Sequence, residues 1–139
     1  MIASVRPFFR DRLENLGYEE HLDAVDFNNV ASKVLDDTFQ LETNSITGEP
    51  ANQLDHNFDY GLTLRVFKSG FRDPVSAYDE VDGIIDNIYG DLLSPSVRLG
   101  TNIKDIVPIS VDKIPLSGSD DNDIILEFNF IVRLIMCFT

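Results

Sequence analysis

Ile124-Ile125-Leu126-Glu127-Phe128-Asn129-Phe130-Ile131-Val132-Arg133-Leu134-Ile135-Met136-Cys137-Phe138 is the stretch on which the fold turns. Every even-numbered residue in it is apolar, and a period of two places all of them on one face of an extended strand. At about 3.3 Å per residue the segment reaches roughly 50 Å. The odd-numbered residues run Ile125, Glu127, Asn129, Ile131, Arg133, Ile135, Cys137, so the second face turns apolar toward its C-terminal end. One face packs on the protein's own helices. The second needs a cover, either a neighbouring subunit or a folded-back loop, and an oligomer is the expectation. Glu127, Asn129 and Arg133, together with the short length, rule out a membrane-spanning helix here.

Immediately upstream, residues 117–123 (Ser-Gly-Ser-Asp-Asp-Asn-Asp) read as a turn bearing Asp120, Asp121 and Asp123. Residues 106–116 predict a strand, and Pro108 and Pro115 make it an edge or a bulged one. Asp73-Pro74 is the favoured order for opening a helix. Behind it Tyr78, Val81, Ile85, Ile88 and Leu92 form an apolar stripe over about 30 Å. The opposite side carries Asp79, Glu80, Asp82, Asp86 and Asp91. Two readings stand side by side: an ordinary solvated helix face, or a surface that lines a pore or binds cations.

Phe58, Tyr60, Leu62, Leu64 and Val66 share one face of a further strand, and residues 38–43 alternate around Phe39 and Leu41. Between these strands, residues 44–57 hold Gly48, Pro50 and many polar side chains, with Ile46 and Leu54 the only large apolar ones. They read as a polar loop, functional or disordered. Ser4 is placed to cap a first helix that ends near Leu16 and exits at Gly17. Residues 18–37 read as irregular. The order helix, strand, strand, helix, strand, strand predicts an α+β domain over residues 1–139, a mostly antiparallel four-stranded sheet with helices packed on one face.

Composition limits the partners. The 139 residues carry 11 Lys+Arg against 24 Asp+Glu, a formal charge of 11 − 24 = −13, with 17 Asp, 7 Glu and 4 Lys. Tight nucleic-acid binding draws its affinity from basic side chains that neutralise phosphates, and this chain lacks them. Such acidity suits a salt-adapted surface or one that repels a polyanion. A hydrophobic content of 43%, with ten Phe and four Tyr, excludes a disordered acidic tail. Cys137 is the only cysteine, so no intrachain disulfide forms. Asp11, Arg12 and Glu14 interrupt any signal-peptide core, and the expectation is a protein that stays inside the cell or leaves by a route other than secretion.

No constellation points to catalysis, a cofactor or a metal. His21 and His56 lie in polar stretches without the spacing that places two ligands on one helix face. Cys137 sits in an apolar run, which raises a thiol pKa. The chain has no Gly-rich phosphate loop and no nucleophile elbow. Carboxylates such as Asp79, Asp82 and Asp86, or Asp120, Asp121 and Asp123, can be written as Mg²⁺ ligands for a nuclease. A nuclease must also hold its polyanionic substrate, and a basic groove is missing.

In order and pattern the chain resembles the tail terminator (tail completion) proteins of long-tailed bacteriophages. The resemblance rests on Phe27-Asn28-Asn29-Val30 leading to Asp37-Thr38-Phe39-Gln40-Leu41-Glu42, on Leu64-Arg65-Val66-Phe67-Lys68-Ser69-Gly70-Phe71-Arg72-Asp73-Pro74, on the helix over 78–92 and on the long last strand. It implies a structural virion protein of the tail and neck, assembled in the host cytoplasm. Six subunits would form a homohexamer ring that stacks on the tail tube protein, stops polymerisation and offers a docking surface to a head-side neck protein. DNA would pass an acidic lumen without specific binding.

Within that reading Ile131, Arg133 and Ile135 are the expected subunit interface, joined by Arg72 and Asp73, which also read as a loop arginine beside an ordinary helix cap. Ile46, Glu49 and Leu54 are the expected contacts to the adjacent ring. Asp79, Asp82, Asp86, Asp120, Asp121 and Asp123 are the expected lumen acids. The alternatives are another head–tail neck protein (head completion or stopper) and a metal-dependent nuclease.

Overall fold

A computed structural model describes residues 2–21, 36–50, 55–71, 74–115 and 122–137. After a 3-10 turn at Ile2–Ser4, α1 spans Val5–Asn15. Val5, Phe9 and Leu13 recur every four residues and are fully buried, so this one stripe fixes the helix on the sheet. Ser4 occupies the N-cap position, but its hydroxyl donates to Asn102 Oδ1 at 3.1 Å and makes no cap hydrogen bond. The helix ends where Gly17 adopts a φ of 97°, a conformation a side chain resists, while Tyr18 N–H returns to the Leu13 carbonyl at 3.1 Å.

The strands are β1 (Glu19–Glu20), β2 (Thr38–Pro50), β3 (Asp55–Phe71), β4 (Ile103–Pro115) and β5 (Asn122–Cys137). They form one sheet in the order β1-β2-β3-β5-β4. The four long strands pair antiparallel, as expected. The expected count of four falls short by β1, two residues that pair parallel with Thr38 and Phe39 and make the sheet mixed. A two-residue strand has no periodicity to read.

A larger departure lies between β2 and β3. Most of the stretch expected as a polar loop is strand: β2 runs to Pro50 and β3 starts at Asp55, with Ile46 facing Tyr60, Gly48 facing Phe58 and Pro50 facing His56. Only 51–54 separate them, outside the described residues. Asn44 is the reason the alternation fails in the sequence, because the register shifts between Thr43 and Ser45 and a bulge breaks the period of two. Gly48 also has a packing role: the Phe58 ring lies over it so closely that an added Cβ would come within 2.6 Å of the ring.

The second helix, α2 (Pro74–Leu92), packs on the same face of the sheet as α1. Val81, Ile88 and Leu92 are fully buried against it, with Ile84, Ile85 and Tyr89 at the margin. Tyr78, expected on this stripe, is instead 56% exposed; the ammonium of Lys113 sits 5.3 Å from its ring centroid. From the sheet side come Phe39, Leu41, Leu62, Leu64, Leu126, Phe128, Phe130 and Val132. Phe128 and Phe130 lie with planes 2° apart, and Tyr89 meets both edge-on at 5.4 and 5.9 Å. Each such side chain contributes about 1.5–3 kcal/mol on burial.

β4 is an edge strand, as its prolines predict. It is broken by two register shifts, between Ile103 and Asp105 and between Pro108 and Ser110.

Candidate functional site

The sheet face that carries no helix among the described residues is organised in rows across the strands. In the central row Asn44 Nδ2 donates to Thr63 Oγ1 at 2.8 Å, Thr63 Oγ1 donates to Asn129 Oδ1 at 2.8 Å, and Asn129 Nδ2 donates to Ser110 Oγ at 3.1 Å. Four strands contribute one residue each. Both outer members sit at bulges, which bring Asn44 and Ser110 into reach of the two central strands. In the next row Arg65 Nη1 meets Glu42 at 2.6 Å and Arg65 Nε meets Glu127 at 3.0 Å. Burial works against the Arg65 charge, but hydrogen bonds to Glu42 and then Glu127 outweigh it and hold the guanidinium above its ordinary pKa. These two half-buried polar rows are thus satisfied from within.

On the other side of the central row the face turns apolar. Ile131 is half-buried beside Gly61 and Val107, and Ile135 is 42% exposed. Arg133 lies between them, exposed, with Nε 3.7 Å from Asp59. Three of the five expected interface residues therefore share one row of β5. Arg72 and Asp73 lie outside the described residues. Thr47, Gly48, Asn57 and Asp59 line a shallow cleft at the hairpin end of this face.

The residues expected to contact a neighbouring ring divide. Ile46 is 44% exposed on the helix side of the sheet, opposite Tyr60, and so does not share a face with Ile131 and Ile135. Glu49 is in β2, paired with Asn57, and Leu54 lies outside the described residues.

Most of the acids of α2 are open to solvent. Asp79, Glu80, Asp82 and Asp86 are exposed, and Asp82 Oδ1 accepts from Lys113 at 2.6 Å. Asp91 departs from the expected solvated row: its carboxylate, 15% exposed, accepts two hydrogen bonds from Arg12. Asp120 and Asp121 lie outside the described residues. Asp123 corrects the expected set of lumen acids. It is 4% exposed, because β5 begins at Asn122 and takes this residue out of the turn and into the sheet.

The expected interface row and the acidic helix face thus lie on opposite sides of the sheet. Among the described residues no three His, Cys, Asp or Glu side chains converge as a metal site requires, and no helix is long and apolar enough to cross a membrane. Sequence reading missed the polar row. Its one signal was Asn129, an amide within an apolar strand, which demands partners when half-buried.

No protein-family model matches the chain, and no curated protein matches it in sequence.

Proposed function

We propose that the protein is a ring-forming structural component of a bacteriophage tail, a tail terminator that caps the tail tube, stops its growth and provides the surface to which the head-side neck protein docks. The observation that carries the reading is the division of the molecule into two separate surfaces. A ring subunit needs lateral contact surfaces distinct from the one that DNA passes. The row Ile131, Arg133 and Ile135 supplies partly exposed apolar side chains around a charge, the composition of a contact rim. Asp79, Glu80 and Asp86 supply carboxylates that repel phosphate, so DNA slides past without adhering. The role is mechanical rather than catalytic, and the homohexamer assembles in the host before joining the virion.

Native mass spectrometry and negative-stain imaging of the purified protein test the first part: a six-membered ring with a central hole is the expected result. A monomer or dimer that cleaves DNA with Mg²⁺ would instead establish the nuclease reading. Deleting the protein from a phage that encodes it tests the second part. Tails longer than normal are expected, whereas normal tail length with failed head joining would place it elsewhere in the neck.

A further inference from the structure

The two edges of the sheet are treated differently. Along β4 the edge is guarded by Pro108, Pro115, two bulges and the exposed Lys104 and Lys113, devices that keep a strand from pairing further. Among the described residues the β2 edge is closed only over its first half. Glu19 N–H reaches the Asp37 carbonyl at 3.0 Å, His21 N–H reaches the Phe39 carbonyl at 2.9 Å, and Arg6 Nη1 takes the Leu41 carbonyl at 3.0 Å. These carbonyls alternate along the strand and face away from β3. Thr43 is next in the series, and beyond the bulge the register passes it to Ile46 and Gly48, which face Tyr60 and Phe58 as Phe39 and Leu41 face Val66 and Leu64. Among the described residues nothing meets the outward main chain of Ile46 or Gly48. All side chains over 42–48 are exposed, and this half of the edge carries no lysine and no proline before Pro50.

We propose that the outer edge of β2 over residues 43–48 accepts an extended, basic segment of a different polypeptide as an added strand. Main-chain pairing to Thr43, Ile46 and Gly48 would supply the affinity, and Ile46 would seat one apolar side chain of the incoming strand. Charge selects the partner. Of the two charged residues of β2, Glu42 is already held by Arg65 and Glu49 carries a further negative charge, so it is the field of a protein of net charge −13 that attracts a basic strand and repels a polyanionic one. A second copy fits poorly: its β4 edge is guarded, and β2 against β2 sets acids against acids. The inference stands apart from the ring reading, since a monomer with this edge satisfies it equally.

Two blocked nonapeptides test it on the full chain, one alternating valine with threonine and lysine, the other with glutamate for each lysine. Amide hydrogen exchange of Ile46 and Gly48 is followed at millimolar peptide. The lysine peptide should slow both amides by about tenfold or more, the glutamate peptide should not, and Ile46→Lys, a change at an exposed position, should abolish the slowing. Thr43→Lys, at a second exposed position, should weaken it in the same direction. Unchanged exchange with the lysine peptide overturns the proposal, as does equal slowing by the glutamate peptide or in Ile46→Lys. Slowing that follows protein concentration without peptide also overturns it, because the occupant is then a second copy.

Discussion

Arg12 Nε donates to Asp91 Oδ2 across 2.9 Å, and the second nitrogen of the same guanidinium takes the other carboxylate oxygen, so the two helices are tied side by side by a bidentate pair. The hydrogen bond to Asp91 is the main reason the Arg12 guanidinium is held above its usual pKa. Asp91 therefore belongs to the structure of the helix layer rather than to its solvent face. Arg12→Met leaves a carboxylate with 15% exposure unpaired and should cost about 1–3 kcal/mol. Urea unfolding of the variant measures it. Arg12→Lys recovers only part, since an ammonium does not reproduce the planar fork.

The row Asn44, Thr63, Asn129, Ser110 acts as a unit because each member satisfies the next. Asn129→Ala strands partners on both sides and should destabilise by about 1–2 kcal/mol, whereas Ser110→Ala at the edge should cost less, because water replaces the bond. A double-mutant cycle between Thr63→Val and Asn129→Leu should return a coupling of about 0.5 kcal/mol or more.

Gly48 is required by the ring that covers it. Gly48→Val forces the Phe58 ring aside and should cost about 1–3 kcal/mol, read as a lower denaturation midpoint. In the Phe58→Ala background the same change should cost clearly less, because the obstructing ring is gone.

Stability should fall at alkaline pH. Burial raises the Tyr89 pKa, and burial is likewise the main cause at Tyr18. At Lys68 burial lowers the pKa, but the Asp37 hydrogen bond and the charges of Asp37 and Asp36 reverse the sign. All three folded-state values lie above the unfolded ones. Their stabilisation is full below about pH 10 and is lost as pH rises through the folded values. Denaturant midpoints should hold up to about pH 10 and decline above it, and Tyr89→Phe together with Lys68→Met should flatten the decline.

If the exposed acids of α2 keep DNA from adhering, replacing them should create adhesion. Asp79→Lys with Asp86→Lys is expected to produce salt-dependent DNA binding that the parent lacks, with stability changed by about 0.5 kcal/mol or less. Fluorescence anisotropy with duplex DNA at low salt reads the outcome. Asp82 is left in place because it holds Lys113.

The amino-acid sequence by itself determined the α+β class, both helices and the inward row from Ile124 to Leu134. Each follows from a period, and burial enforces that period on every residue of an unbroken stripe. Only the tertiary structure decided that residues 44–50 are strand, that Asp91 and Asp123 are withdrawn from solvent, and that Asn44, Thr63, Asn129 and Ser110 meet. A bulge shifts the period by one residue, which erases the alternation along the chain while keeping the pairing across it. An acid's exposure depends on the arginine or strand facing it, and Arg12 and Asp91 are brought together from 79 residues apart.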